Sequence, residues 1–355
     1  MEHISRRFLI LKLIVEEFIK TAKPIGSQTL IDTCNLNYSS ATIRNEMFAL
    51  EEDGYIEKPH TSSGRVPSAK GYRYYIEHLR SKNDKANLIK DRLNKFIDEN
   101  GMTMHTDQIL DECCAIISNM TNLVSVVMGP DGNADTLAKV EFMPINTSTG
   151  IMLFVTSSGY LEHKTINIPG ESKLEEIQDC MKIINKRIAG IRVSEINSVL
   201  DGIQLVLSEH IKNYEIVYNA FANTFLQFAK ERVSYYGKNN LLSQKDFMDI
   251  EKIKKVAQLL ENTNIWKSFD NNEEGINVSI GNENKLDDLS DISVVSTKLK
   301  VNKNNMGSVC VIGPTRMDYN QVIEALEFLS NKLEELENEK KEGSNNEWWK
   351  QKEFK

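Results

Sequence analysis

The chain has 355 residues, 40% of them hydrophobic and 26% charged, with a formal net charge of −8. That length has room for two or three globular domains, and no apolar run approaches a membrane span. An acidic chain repels a polyanion, so any contact with nucleic acid has to come from a local basic patch.

Phe8, Leu11, Val15 and Phe18 recur at spacings of three, four and three, which predicts one face of an amphipathic helix. Arg6-Arg7 ahead of it superficially imitates a secretion signal. Lys12 interrupts the apolar run, Glu16-Glu17 follow it, and no small-x-small cleavage site appears, so a folded helix in a cytoplasmic protein is expected. Pro24 and Gly26 are expected to end it, and Ser27 to cap the next helix, whose apolar stripe is Leu30, Ile31 and Cys34. Leu36 in the following turn is expected to plug the space between two helices.

A further helix is expected from near Ser39. Ile43, Met47 and Leu50 fall at i, i+4 and i+7 and face a core. Ala41, Arg44 and Asn45 then lie on the other side, flanked by Ser40 and Thr42. Arg reads guanine bidentately, Asn reads adenine, and Ser and Thr suit phosphates or either base. Phe48 also leans outward, where a small residue is expected. Gly54 is expected to stop the helix.

Periodicity alone fits an ordinary helical hairpin equally well; the next segment shifts the balance. Tyr55 to Lys58 reads as a strand, Pro59 to Gly64 as a polar loop, and Arg65-Val-Pro as a return strand, with Ser68 capping a helix. Residues 58–80 hold five cations (Lys58, Arg65, Lys70, Arg73, Arg80) and one anion, Glu77. Two helices followed by a basic hairpin are the layout of a winged helix-turn-helix, which aims one helix at a major groove and a loop at the neighbouring backbone. The candidates for base and phosphate contact are Ser40, Thr42, Arg44 and Asn45. Those for backbone contact are Lys58, His60, Thr61, Ser63, Arg65 and Arg73.

Residues 81–100 read as a connecting helix. Leu123 to Met128 reads as a buried strand ended by Gly129-Pro-Asp-Gly. Residues 137–168 read as three strands, and 171–262 as almost wholly helical. Strands return at Ile276 to Ile280, Ser293 to Leu299 and Ser308 to Ile312, with a short helix between the first two. A last helix is expected from about Asp318 to Lys340, with Val322, Leu326, Leu329, Leu333 and Leu336 on its apolar face; the four-three spacing fits a coiled-coil seam, but it covers barely two heptads, so packing on a sheet is expected. A strand–helix block between two sheet-like halves predicts an inserted domain. The five cysteines include no C-x-x-C and are expected to be reduced. The six histidines show no metal-ligand spacing, and no phosphate-binding glycine motif occurs, so neither metal nor cofactor is expected.

Several runs resemble one family. Ile25-Gly-Ser-Gln-Thr-Leu, Ser39 to Met47, Gly54 to Pro67 and Gly71-Tyr-Arg-Tyr-Tyr are similar to the heat-inducible transcription repressor HrcA family, as are Val140-Glu-Phe-Met-Pro and Val311 to Tyr319. The resemblance spans residues 3–338. It implies an α+β multidomain protein with a winged helix-turn-helix domain (1–80), the connecting helix (81–100), a discontinuous GAF-like α/β sheet domain (101–136 and 263–340) and an inserted α+β dimerisation domain (137–262); the polar tail (341–355), longer and richer in Trp than the family pattern, is expected to be disordered. It further implies a homodimeric repressor of class I heat-shock operons, those of the GroE and DnaK chaperones. Such a repressor binds an inverted-repeat operator called CIRCE, and its activity depends on the GroEL chaperonin. The alternative is a regulator gated by a small molecule in the GAF-like domain, which requires an enclosed pocket with converging polar groups. An enzyme finds no local signature, and a pure interaction scaffold predicts no salt-dependent DNA affinity.

Overall fold

A computed structural model describes residues 5–34, 36–59, 64–80, 84–129, 136–146, 149–157, 161–167, 174–210, 214–228, 233–247, 249–261, 275–283, 290–302 and 305–352. The chain forms two compact units: residues 1–127, 234–301 and 308–355, and residues 128–233 with 302–307.

The first unit opens with α1 (Arg6–Thr21), α2 (Ser27–Cys34) and α3 (Ser40–Glu52). Helix α1 buries Ile10, Leu11, Ile14 and Val15, with Phe8 and Phe18 packed at the rim. It ends at Ala22, in the left-handed region at φ 54°, before Pro24 and Gly26 are reached. Ser27 is the first residue of α2 and not its cap; its hydroxyl meets that of Ser40 at 3.1 Å. Strands β1 (Ile56–Glu57) and β2 (Val66–Pro67) pair antiparallel, Ile56 opposite Pro67. Ile25 and Arg65 exchange both backbone hydrogen bonds at 2.8 and 2.9 Å, adding a third rung to the hairpin. Ser68 then caps α4 (Ala69–Tyr74), its hydroxyl accepting from Gly71 N–H. A π-helical turn, Tyr75–Leu79, follows.

Helix α5 (Asp84–Asn100) is not a free connector. It buries Ala86, Ile89, Leu93 and Ile97, four residues at spacings of three or four on one face. Helix α6 (Thr106–Thr121) packs beside it and leads into β3 (Val124–Met128), buried throughout.

The second unit holds an antiparallel sheet of β4 (Leu137–Pro144), β5 (Thr149–Thr156) and β6 (Leu161–Asn167), in the order β4-β5-β6. Alternate residues of β5 point inward, the period-two pattern of a half-buried strand. Helices α7 (Leu174–Ile188) and α9 (Tyr214–Phe228) pack on the sheet, and α8 (Ile196–His210) packs against both helices. Asn185 ties α7 to the sheet by bonding both the N–H and the C=O of Val140.

The chain re-enters the first unit through β7 (Val233–Tyr236), a strand inside the stretch expected to be helical. The second unit therefore ends near residue 233, well before the expected 262. Helices α10 (Lys238–Leu242) and α11 (Ile250–Glu261) precede β8 (Ile276–Ile280), β9 (Ile292–Asn302) and β10 (Asn305–Pro314). The five-stranded sheet has the order β7-β3-β10-β9-β8. Of the short helix expected between β8 and β9, a single 3-10 turn at Gly281–Glu283 is described.

Helix α12 (Tyr319–Lys352) buries Val322, Leu326, Leu329, Leu333 and Leu336 against α5, α6 and the sheet. It continues past Lys340 to Lys352, where a disordered tail is expected from the sequence, even though Gly343-Ser-Asn-Asn are poor helix formers. One contiguous core runs from Ile10 in α1 to Leu336 in α12, so the first eighty residues do not stand apart from the sheet.

Candidate nucleic-acid interface

Helix α3 is built as an exposed ridge on a buried base. Ser39 caps it, its hydroxyl accepting from Thr42 N–H at 3.1 Å. Ile43, Met47 and Leu50 are buried, while Ala41, Arg44, Asn45 and Phe48 are exposed. Gly54, at φ 76°, closes the helix. Its N–H reaches Glu51 C=O and the next N–H, of Tyr55, reaches Leu50 C=O, the Schellman pattern that needs a left-handed residue at this position.

Two of the three acids of α3, Glu46 and Glu51, are matched by arginines from neighbouring elements, while Glu52 is exposed. Arg6 Nε donates to Glu46 Oε1 at 2.8 Å and Arg7 Nε to Oε2 at 3.2 Å; Arg7 also meets Asp53. Arg65 from β2 donates to Glu51 at 2.8 Å. The helix thus turns toward solvent with much of its negative charge compensated and Arg44 left outward. Among the described residues Arg44 makes no ion pair.

Of the backbone-contact candidates, Lys58 is exposed at the end of β1. His60, Thr61 and Ser63 lie outside the described residues. Arg65 is half-buried and braces the hairpin against the last turn of α3. Arg73 donates to Val278 C=O of β8 at 2.6 Å and pairs with Glu283, so its guanidinium already has partners within the chain. Arg80 likewise pairs with Glu327 of α12, and Lys70 donates to Asp53 C=O at 2.7 Å. Much of the +4 patch is therefore committed to intramolecular partners, which charge counting along the sequence cannot distinguish from phosphate contacts.

The HrcA protein C terminal domain family matches residues 107–323. The heat-inducible transcription repressor HrcA of Halalkalibacterium halodurans is 36% identical over 338 residues, covering 94% of this chain and 97% of that protein. The chain belongs to the HrcA family. The HrcA of Bacillus pumilus is also 36% identical, over 93% of this chain and 96% of its own length. A crystal structure of a hypothetical protein aligns with a TM-score of 0.70 at 25% identity, over 96% of this chain and all of that one.

The Gly71-Tyr-Arg-Tyr-Tyr run of this HrcA-family chain is a joint. Tyr72 meets Tyr319 in a tilted pair with ring centroids 5.6 Å apart, and Tyr74 stacks on Phe8 at 4.3 Å. The Tyr75 hydroxyl accepts from Asn320 Nδ2 at 2.8 Å, and burial pushes its pKa well above the usual tyrosine range. A half-open cleft of about 630 Å³ lies beside this joint, lined by Glu16, Tyr75, Arg316, Asp318 and Asn320 among others. Arg316 is already engaged by Asp246 in a bidentate pair and Asp318 by Gln321 N–H. Among the described residues no group of three or more His, Cys, Asp or Glu is placed to hold a metal ion, and no helix is long and apolar enough to cross a membrane.

The Glu46 cluster carries a pH-dependent prediction. Hydrogen bonding from Arg6, reinforced by Arg7, holds the Glu46 carboxyl below its ordinary 4.5. A depressed carboxyl contributes stability above its unfolded pKa and loses it as pH falls through the folded value. Glu46→Gln is therefore expected to cost about 1 kcal/mol at neutral pH. The gap to the parent chain closes below pH 4.5, as thermal melts at pH 7 and pH 3.5 will register.

Proposed function

We propose that this chain is a heat-inducible transcription repressor that acts as a homodimer on an inverted-repeat operator of the CIRCE type. In this reading residues 6–80 act as a winged helix: α3 enters the major groove and the β1–β2 hairpin lies along the phosphate backbone. The observation that carries it is the construction of α3, with Arg44 and Asn45 exposed above a base of Ile43, Met47 and Leu50 and with Glu46 and Glu51 held by arginines. Ser40, Thr42, Arg44 and Asn45 contact bases and phosphates, and Lys58, His60, Thr61 and Ser63 contact the backbone. Arg65 works by holding the hairpin to α3.

Two-fold symmetry of a dimer matches an inverted repeat. The outward face of the β4–β6 sheet suits such an interface. Met143 is 46% and Leu161 51% exposed, and Ile151, Leu153 and Val155 lie half-buried between them. The GAF-like sheet domain transmits no small-molecule signal in this scheme; activity follows supply of the GroEL chaperonin. Gel-shift titrations test it. Operator affinity is expected to exceed that for a scrambled duplex by about a thousandfold and to fall steeply with salt. Affinity lost on warming is restored by added chaperonin. Equal affinity for both duplexes, or a monomer by sedimentation at operator-saturating concentration, overturns the reading.

A further inference from the structure

The outer ridge of α3 carries a large apolar side chain that the core does not take in. Ala41, Asn45, Phe48 and Glu52 follow one another at i, i+4, i+7 and i+11, which places them along a single line opposite Ile43, Met47 and Leu50. All four are exposed, and Phe48 leaves 58% of its surface in solvent. The core cluster that takes in Phe8, Phe18 and Leu36 at its rim does not include it.

We infer that Phe48 is a specificity-determining residue that packs its ring against thymine 5-methyl groups in the major groove. The inference rests on the DNA-binding reading above and deepens it. The occupant is set by what surrounds the ring. Arg44 stands beside it, Asn45 is one helical turn back, and Glu46 and Glu51 are neutralised by Arg6, Arg7 and Arg65. A lone ring between Arg44 and Asn45 on one side and the exposed Glu52 one turn on is far too small a patch for a protein interface, which buries roughly 800 Å² per partner. The thymine methyl is the one apolar group that a base pair shows in the major groove, and phenylalanine is among the side chains that contact it. Asn45 and Phe48, three residues apart, lie side by side on a helix, so an adenine read by Asn45 and a thymine read by Phe48 fall on neighbouring base pairs.

Deoxyuridine in place of thymidine removes the methyl and nothing else. The full-length protein and its Phe48→Ala and Phe48→Leu variants are titrated against the operator duplex with thymine or uracil at each half-site position. The parent is expected to lose roughly three- to tenfold in affinity at one or two positions when the methyl is removed. Phe48→Ala is expected to bind both duplexes equally, close to the parent on uracil, and Phe48→Leu to keep part of the sensitivity. An unchanged Phe48→Ala affinity on thymine, or equal sensitivity to uracil in parent and variant, overturns the inference. So does a Phe48→Ala protein that no longer dimerises. A parent with no preference for operator over scrambled DNA defeats the broader reading instead, so the two failures are told apart.

Discussion

Replacing Gly71 by alanine is expected to lower stability by about 3 kcal/mol or more, the range reached when an overpacked site cannot relax. A Cβ at this position would lie 2.0 Å from Tyr55 C=O, a backbone atom that cannot swing aside. Tyr55 is pinned on both flanks. Its N–H closes the α3 stop on Leu50, and its carbonyl accepts from Ser68 N–H at 3.1 Å. Helix α4 can make room only by lifting off β1, which pulls Tyr74 from Phe8 and Tyr75 from Asn320. The thermal midpoint is expected to fall by roughly 10 °C. Operator affinity falls with it, since the hairpin no longer keeps its angle to α3. Serine, only slightly larger than alanine, does no better. Differential scanning calorimetry reads the effect directly, and a Gly71→Ala protein that melts within a degree of the parent would show that the close approach is not part of the native packing.

Where the chain is periodic and local, its structure was legible. Ile43, Met47 and Leu50 announce the buried side of α3, and Val322 to Leu336 the buried side of α12, because a 3.6-residue repeat is set by neighbours along the chain. Gly54 is legible for the same reason: a positive φ after a helix is a local demand. Partner choice was not legible. Arg73 and Lys58 are both cations in a basic stretch, yet Arg73 is claimed by Glu283, 210 residues away. By sequence helix α5 resembles a connector, because its polar residues outnumber its apolar ones; four apolar residues on one face are enough to pack it into the core. Strand β7 is four residues long within a helix-rich stretch, and only its pairing with β3 makes it a strand. Its omission displaced the far boundary of the second unit by about thirty residues. The Gly71-Tyr-Arg-Tyr-Tyr run was visible as a family signature, but its work as a joint depends on contacts made by the last third of the chain.

Arg44→Ala is expected to cost about 1–3 kcal/mol on the operator and much less on scrambled DNA, because a bidentate contact to guanine is lost while the phosphate contacts stay. The geometry supports that split. Arg44 projects from the second turn of α3, where a helix entering a groove first meets base edges, and among the described residues no carboxylate is paired with it. Removing it leaves the fold untouched, since its side chain is exposed and the core beneath it is made by Ile43 and Met47. Lys58→Ala provides the contrast. An exposed cation at the hairpin is expected to weaken operator and scrambled duplexes alike and to reduce the salt slope of log affinity by about one. Titrations at three salt concentrations separate the two variants by the slope alone, before any absolute affinity is compared. Equal losses on both duplexes for Arg44→Ala, with the slope reduced as for Lys58→Ala, would assign Arg44 to phosphate and leave Asn45 and Phe48 as the base readers of the ridge.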